Sequence, residues 1–236
     1  MDRWSAAHLN MIETIDKASS AGRALADWAS ALPPHDSLAR VERLTTAGPE
    51  SMLVPYHSLG VCVAEIPDRL YPGLLEIVHA ATWGGVPRIP DGGGGLVQSV
   101  AGLGASCVSP GQAAFMNTAH ASQEIVSLVQ AFAGVEVEPT EWYGPRIYHR
   151  GARLLRHCDR ARSHVFGVTA YIESSDHQPW PIYFERDRDF LRISLRIGQM
   201  AIYEGVRLPH FRPTALDARF FAAAFLHYRP AHENPI

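Results

Sequence analysis

Apolar residues recur at helical spacing in the first part of the chain and at strand spacing in the last. Leu9, Ile12 and Ile15, then Leu25, Trp28 and Leu32, fall near a 3.6-residue period and predict helix over residues 1–32, stopped by Pro33 and Pro34. Residues 36–58 carry no period and read as loop. Val61 to Ile66 predicts a short strand, and Asp68 is a candidate cap for a helix running to Trp83. Residues 84–95 contain four consecutive glycines. The spacing matches neither glycine-rich phosphate motif and no lysine follows, so the stretch reads as a surface loop. Phe115, Ile125, Leu128, Val129 and Phe132 predict a second amphipathic helix over 111–133. Beyond residue 134 come short β-branched and aromatic runs: 146–149, 164–173, 181–185, 190–197, 200–204 and 219–228. Runs of that length and spacing predict a sandwich or jelly-roll barrel. The chain divides into an N-terminal helical extension (1–55) and a β-rich domain with helical support (56–236).

Composition narrows the class. The 236 residues are enough for a sizeable core, and 47% hydrophobic with 19% charged residues excludes a disordered chain. Apolar runs stay short of a membrane span, so no membrane association is expected. The first residues lack a basic segment followed by an apolar one, so no secretory signal is expected. A net charge of −3 without a basic stripe argues against nucleic-acid binding. Cys62, Cys107 and Cys158 form no CxxC pair, which fits a reducing cytoplasm and argues against a structural zinc site.

The candidate chemistry lies between Tyr148 and Asp159. His157 and Asp159 form the only His-x-Asp or His-x-Glu pair in the chain. On an extended segment the two side chains share a face, and a His from a distant strand would complete a 2-His-1-carboxylate set with open metal positions. The downstream histidines are His164, His177, His210, His227 and His232. His210 follows a strand candidate and leaves room for several strands to return. Arg219, Phe221, Ala223, Phe225 and His227 share a strand face by alternation. If Arg219 is near the metal, His227 is about 27 Å off at ~3.3 Å per residue and is not a ligand. Cys158, between the two proposed ligands, points away from the metal by the same alternation.

Tyr148, Gly151, His157 and Asp159, the distal His210 and a basic residue nine further on resemble the Fe(II)/2-oxoglutarate dioxygenase superfamily, in its prolyl 4-hydroxylase-like branch. The resemblance covers about residues 142–230, with Leu154 where the family has an aromatic. It implies an α+β fold, a double-stranded β-helix (jelly-roll, cupin-like) core with supporting N-terminal helices. It implies Fe(II) held by His157, Asp159 and His210, with 2-oxoglutarate as co-substrate and O₂ as oxidant. By family register, Arg219 takes the distal carboxylate of 2-oxoglutarate, with Tyr148 and Thr169 as further co-substrate contacts. Arg212 is a rival that the register places too close to His210. The implied reaction is hydroxylation of an unactivated C–H through a ferryl species, with release of succinate and CO₂. The intact Asp159 favours hydroxylation over halogenation.

Two substrate readings stand: an amino-acid-derived small molecule of a bacterial natural-product pathway, and a prolyl residue in a peptide. Dimerisation through the N-terminal helix is a further expectation. A non-catalytic jelly-roll binding protein is the alternative from another class, and a cupin-type metal hydrolase ranks below it.

Overall fold

The computed structural model describes residues 11–31, 55–83, 88–90, 96–99, 104–108, 114–120 and 122–232. The helices among them are α1 (Ser20–Ala31), α2 (Tyr71–Thr82), α3 (Ala114–His120) and α4 (Gln123–Ala133). The strands before α3 are β1 (Ile12–Asp16), β2 (Val61–Glu65), β3 (Arg88–Pro90), β4 (Val97–Ser99) and β5 (Ala105–Val108). After α4 come β6 (Val137–His149), β7 (Ala152–His157), β8 (Phe166–Ser174), β9 (Ile182–Glu185) and β10 (Asp189–Ile193). The last three are β11 (Gln199–Tyr203), β12 (His210–Arg212) and β13 (Phe220–Pro230).

Two antiparallel sheets face each other. The larger runs β2-β11-β8-β13-β6-β5-β3 and the smaller β1-β10-β9-β12-β7-β4. From β6 to β13 the chain crosses between the two sheets at every step except β9 to β10, which are neighbours in the smaller sheet, and this winding back and forth is that of a double-stranded β-helix. Alternation along β8 and β13 divides the core in two. Val168, Ala170 and Ile172 of β8, with Phe220, Ala222, Ala224 and Leu226 of β13, point out of the barrel. There they meet Leu74 and Val78 of α2 and Ile125, Val129 and Phe132 of α4. Tyr171, Phe221 and Ala223 point inward, with Tyr148, Phe184, Leu191 and Tyr203. A sheet buried on both faces explains why β13 reads as an unbroken apolar run.

Three sequence expectations are corrected. Residues 12–16 form a strand, not helix. β1 pairs antiparallel with β10, Ile12 opposite Ile193 and Asp16 opposite Asp189, so β-branched Ile12, Thr14 and Ile15 extend the smaller sheet. The helical reading holds for α1, while residues 1–10 and 32–54 lie outside the described residues. Within the predicted helix 111–133 the described residues form two helices, α3 and α4, while residues 111–113 and 121 lie outside the described residues. The Tyr228 hydroxyl donates to the His120 carbonyl at 2.9 Å, an acceptor a continuous helix would need, and the chain restarts at an extended Ser122. Asp68 does not cap α2; Leu70 occupies the cap position without a side-chain bond, and Pro72 sits in the first turn where its missing N–H costs nothing. Most of the glycine-rich loop 84–95 lies outside the described residues, with β3 inside it. No described helix is long and apolar enough to cross a membrane.

Candidate metal and co-substrate site

The His-x-Asp pair stands at the end of β7, and β12 lies beside it. His157 and His210 are direct antiparallel partners, with ring centroids 4.2 Å apart. Strand pairing of two distant segments thus makes the triad. The Nε2 atoms of His157 and His210 lie 4.0 and 3.8 Å from Asp159 Oδ1. Among the described residues, these three form the only group of His, Cys, Asp or Glu placed to hold a metal ion.

Local bonds aim the ligand atoms. Each ring's Nδ1 faces the carbonyl two residues back, His157 to Leu155 at 2.8 Å and His210 to Leu208 at 3.0 Å. An Nδ1–H donated there leaves Nε2 with a lone pair, the arrangement metal-binding histidines adopt. Burial pushes the His210 pKa down to about 4, so its ring is neutral at physiological pH. Asp159 is fixed through its backbone, its N–H donating to Gly205 O at 2.8 Å. A Cβ on residue 205 would lie 2.1 Å from Asp159 Oδ2, so only glycine admits the carboxylate. Oδ2 is buried and has no hydrogen-bond partner, and burial pushes the Asp159 pKa up. An orphaned buried carboxylate oxygen beside two imidazoles is a donor set that fits a divalent cation.

Arg219 lies elsewhere. It precedes β13, is exposed, and its guanidinium sits 6.0 Å from the Phe220 ring on the helix-covered outer face. The alternation argument fails for it because residue 219 is not part of the strand. The inner position is taken by Phe221, and Arg212 is the cation inside the barrel. It is 3% exposed, and its guanidinium lies 4.7 Å from the Trp180 ring and 5.0 Å from that of Phe221. Among the described residues no carboxylate pairs with it. Burial lowers its pKa to about 10, against the influence of Tyr148, Tyr203 and Tyr171.

Tyr148 and Thr169 are both buried in the interior. The Tyr148 hydroxyl accepts from Arg146 Nη1 at 3.3 Å, and Thr169 Oγ1 has no partner. The structure thus brings His157, Asp159, His210, Tyr148 and Thr169 into one barrel interior and leaves Arg219 out. Sequence reasoning missed Tyr203, whose ring fills the space above Gly167. A Cβ at 167 would lie 2.4 Å from that ring. It also missed Trp180 and Gly205. The one available signal was Arg212 standing two residues past His210, the spacing of one strand face.

No protein-family model matches the chain, and no curated protein matches it either. Solved structures do. AviO1 from Streptomyces viridochromogenes Tue57 is 16% identical, with 86% of this chain and 99% of that one covered at a TM-score of 0.50. A prolyl hydroxylase from Trichoplax adhaerens, in complex with a hypoxia inducible factor peptide fragment, is 14% identical over 85% and 95% at 0.51. SnoN, a non-heme alpha ketoglutarate dependent epimerase from nogalamycin biosynthesis, is 12% identical over 82% and 84% at 0.54. HygX from Streptomyces hygroscopicus, with nickel, 2-oxoglutarate and hygromycin B bound, is 11% identical over 75% and 85% at 0.51. Likeness at these identities is likeness of fold, and the chain has the double-stranded β-helix fold of the 2-oxoglutarate oxygenases.

Proposed function

We propose that the chain is an Fe(II)- and 2-oxoglutarate-dependent oxygenase that hydroxylates an unactivated C–H of a small organic molecule in the cytoplasm. The observation that carries this reading is Arg212, a buried guanidinium with no acid partner among the described residues, inside the barrel that holds His157, Asp159 and His210. A buried cation needs an anion, and the described residues around this one supply only hydroxyls and rings. A dicarboxylate reaching from the metal into the barrel meets that need, and the fork of Arg212 suits the distal carboxylate. Arg212, not Arg219, is therefore the proposed anchor.

His157, Asp159 and His210 would hold the metal, leaving positions open for co-substrate and O₂. When bound, Fe(II) with 2-oxoglutarate and O₂ supplies the oxidising power, and succinate and CO₂ are the by-products. Tyr148 and Tyr203 place hydroxyl groups near Arg212, and Thr169 Oγ1 is a further open donor. Trp180, Phe221 and Tyr171 pack around Arg212 with apolar surface, which excludes water and would strengthen an ionic contact there. HygX is a neighbour of this fold with a small molecule bound, and we adopt that substrate class here.

The test is Fe(II)-dependent formation of succinate from 2-oxoglutarate by the purified chain, run without an organic substrate to read the slow uncoupled reaction. Succinate above the metal-free control, abolished in His157→Ala, is the expected result. No succinate from iron-loaded protein, with the same iron active in a control oxygenase, would make the non-catalytic binding protein the better reading.

A further inference from the structure

Beside the triad the barrel wall carries a second polar cluster that the proposed chemistry leaves unused. His227 of β13 lies opposite Gly167 of β8, and Phe225 lies opposite both Thr169 and Tyr143. Thr169 faces the interior, so Phe225 and His227 face it as well. The expectation that His227 is far from the metal rested on Arg219 being near it. The strand runs the other way, and His210 is close enough to act on the charge of His227.

The His227 ring is held on several sides. The His164 ring stacks on it at 3.8 Å, and Tyr143 meets it edge-on at 5.4 Å. Its carbonyl accepts from Thr140 Oγ1 and faces His120 Nε2, both at 2.9 Å. The groups behind are engaged too. Tyr143 donates its hydroxyl to Glu141, Arg160 donates to the same carboxylate at 3.2 Å, and His164 Nδ1 meets Ser163 Oγ at 2.7 Å. His227 is 4% exposed, yet its Nδ1 has no hydrogen-bond partner. Everything around this nitrogen is braced while the nitrogen itself is left open. A buried polar atom kept unsatisfied in a braced ring fits a ligand contact better than a structural one.

We propose that His227 anchors a substrate subsite beside the metal triad, its Nδ1 binding a hydroxyl of a neutral, hydroxyl-bearing small molecule whose carbon face packs on Tyr143 and Phe225. This deepens the oxygenase reading and rests on it. Burial and the neighbouring histidines hold the His227 pKa well below its ordinary value, so the ring meets its partner uncharged and one hydrogen bond is the natural contact. Aromatic rings with a few placed polar atoms are the usual lining of a small-molecule pocket.

The experiment uses the full chain loaded anaerobically with Fe(II) and 2-oxoglutarate, reading the visible charge-transfer band as each probe is added. The probes are myo-inositol, L-proline and an N-acetylated prolyl peptide. Myo-inositol is expected to perturb the band. His227→Phe keeps the stacked ring and is expected to need at least about tenfold more of it, while His227→Asn, which returns a polar atom near Nδ1, recovers most of the response. The 2-oxoglutarate requirement should stay within about twofold in both variants, and the melting temperature of His227→Phe within about 3 °C of wild type. A large fall in that melting temperature would make the imidazole structural and overturn the proposal. So would a His227→Phe that responds like wild type, or a band blind to myo-inositol. Absence of the band in the wild type would instead remove the oxygenase reading itself.

Discussion

Asp159 and Gly205 show how single residues shape the proposed metal site. The carboxylate is held by its backbone and by the missing side chain at 205, while Oδ2 lacks a partner. Asp159→Asn removes a costly buried acid, so the metal-free variant should melt at or above the wild-type temperature. Metal at about 100 times its dissociation constant adds ~2.7 kcal/mol to wild type, on the order of 5–10 °C, and should add almost nothing to the variant. Differential scanning fluorimetry with Ni(II) as a redox-inert stand-in checks this; a variant that melts much lower without metal contradicts it. Gly205→Ala pushes a methyl into the carboxylate and should weaken metal binding by about 10–100-fold, read by metal titration. His157, Asp159 and His210 were legible in the sequence because their chemistry is carried by residue type and spacing. Gly205 was not, because a glycine's role lies in what approaches it. Arg212 and Arg219 were ranked by register, and register does not say which side of a sheet a residue beside a strand end will face.

At the level of elements, pairing sets positions that periodicity leaves open. The strands β8, β9, β11 and β13 were legible from their alternating or continuous apolar runs. β7 and β12, which carry His157 and His210, are short and rich in Arg and His, so their strand character comes from pairing with each other and with β4 and β9. β1 was misread because Ile12 and Ile15 satisfy a helical spacing as well as a strand's edge. Its junction with α1 is tight: Gly22 is buried, and a Cβ there would lie 2.0 Å from Asp16 O. Gly22→Ala should therefore cost about 1–3 kcal/mol, a fall of roughly 2–10 °C in melting temperature, despite the better helix propensity of alanine. Calorimetry showing an unchanged or raised melting temperature would mean that α1 does not depend on β1. Trp28 of α1 stacks on Phe211 at 5.4 Å, next to His210, so the N-terminal elements support the strand that bears this proposed ligand.

For the whole molecule, the interior concentrates buried histidines. Burial lowers the folded pKa of His210, His227, His164 and His120 below the model-compound value of 6.5. For each, the unfolded chain takes up the proton first, so the stabilisation is complete above about pH 6.5 and is lost as pH falls toward the folded values. Asp159, raised by burial, acts in the opposite sense. Four histidines outweigh one carboxylate, so the metal-free protein should lose several degrees of melting temperature between about pH 6.5 and 4.5. A flat calorimetric profile across that window would contradict the neutral buried rings. In the proposed enzyme this barrel holds Fe(II) on three side chains and 2-oxoglutarate on Arg212. The most direct test of this arrangement is the anaerobic visible band of the Fe(II)–2-oxoglutarate chelate, titrated in wild type, His157→Ala, His210→Ala, Arg212→Gln and Arg219→Gln. The expected result is a band in wild type and Arg219→Gln at equal 2-oxoglutarate, none in the histidine variants, and at least about tenfold more 2-oxoglutarate for Arg212→Gln. No band in wild type, or a requirement raised by Arg219→Gln and not by Arg212→Gln, would contradict it.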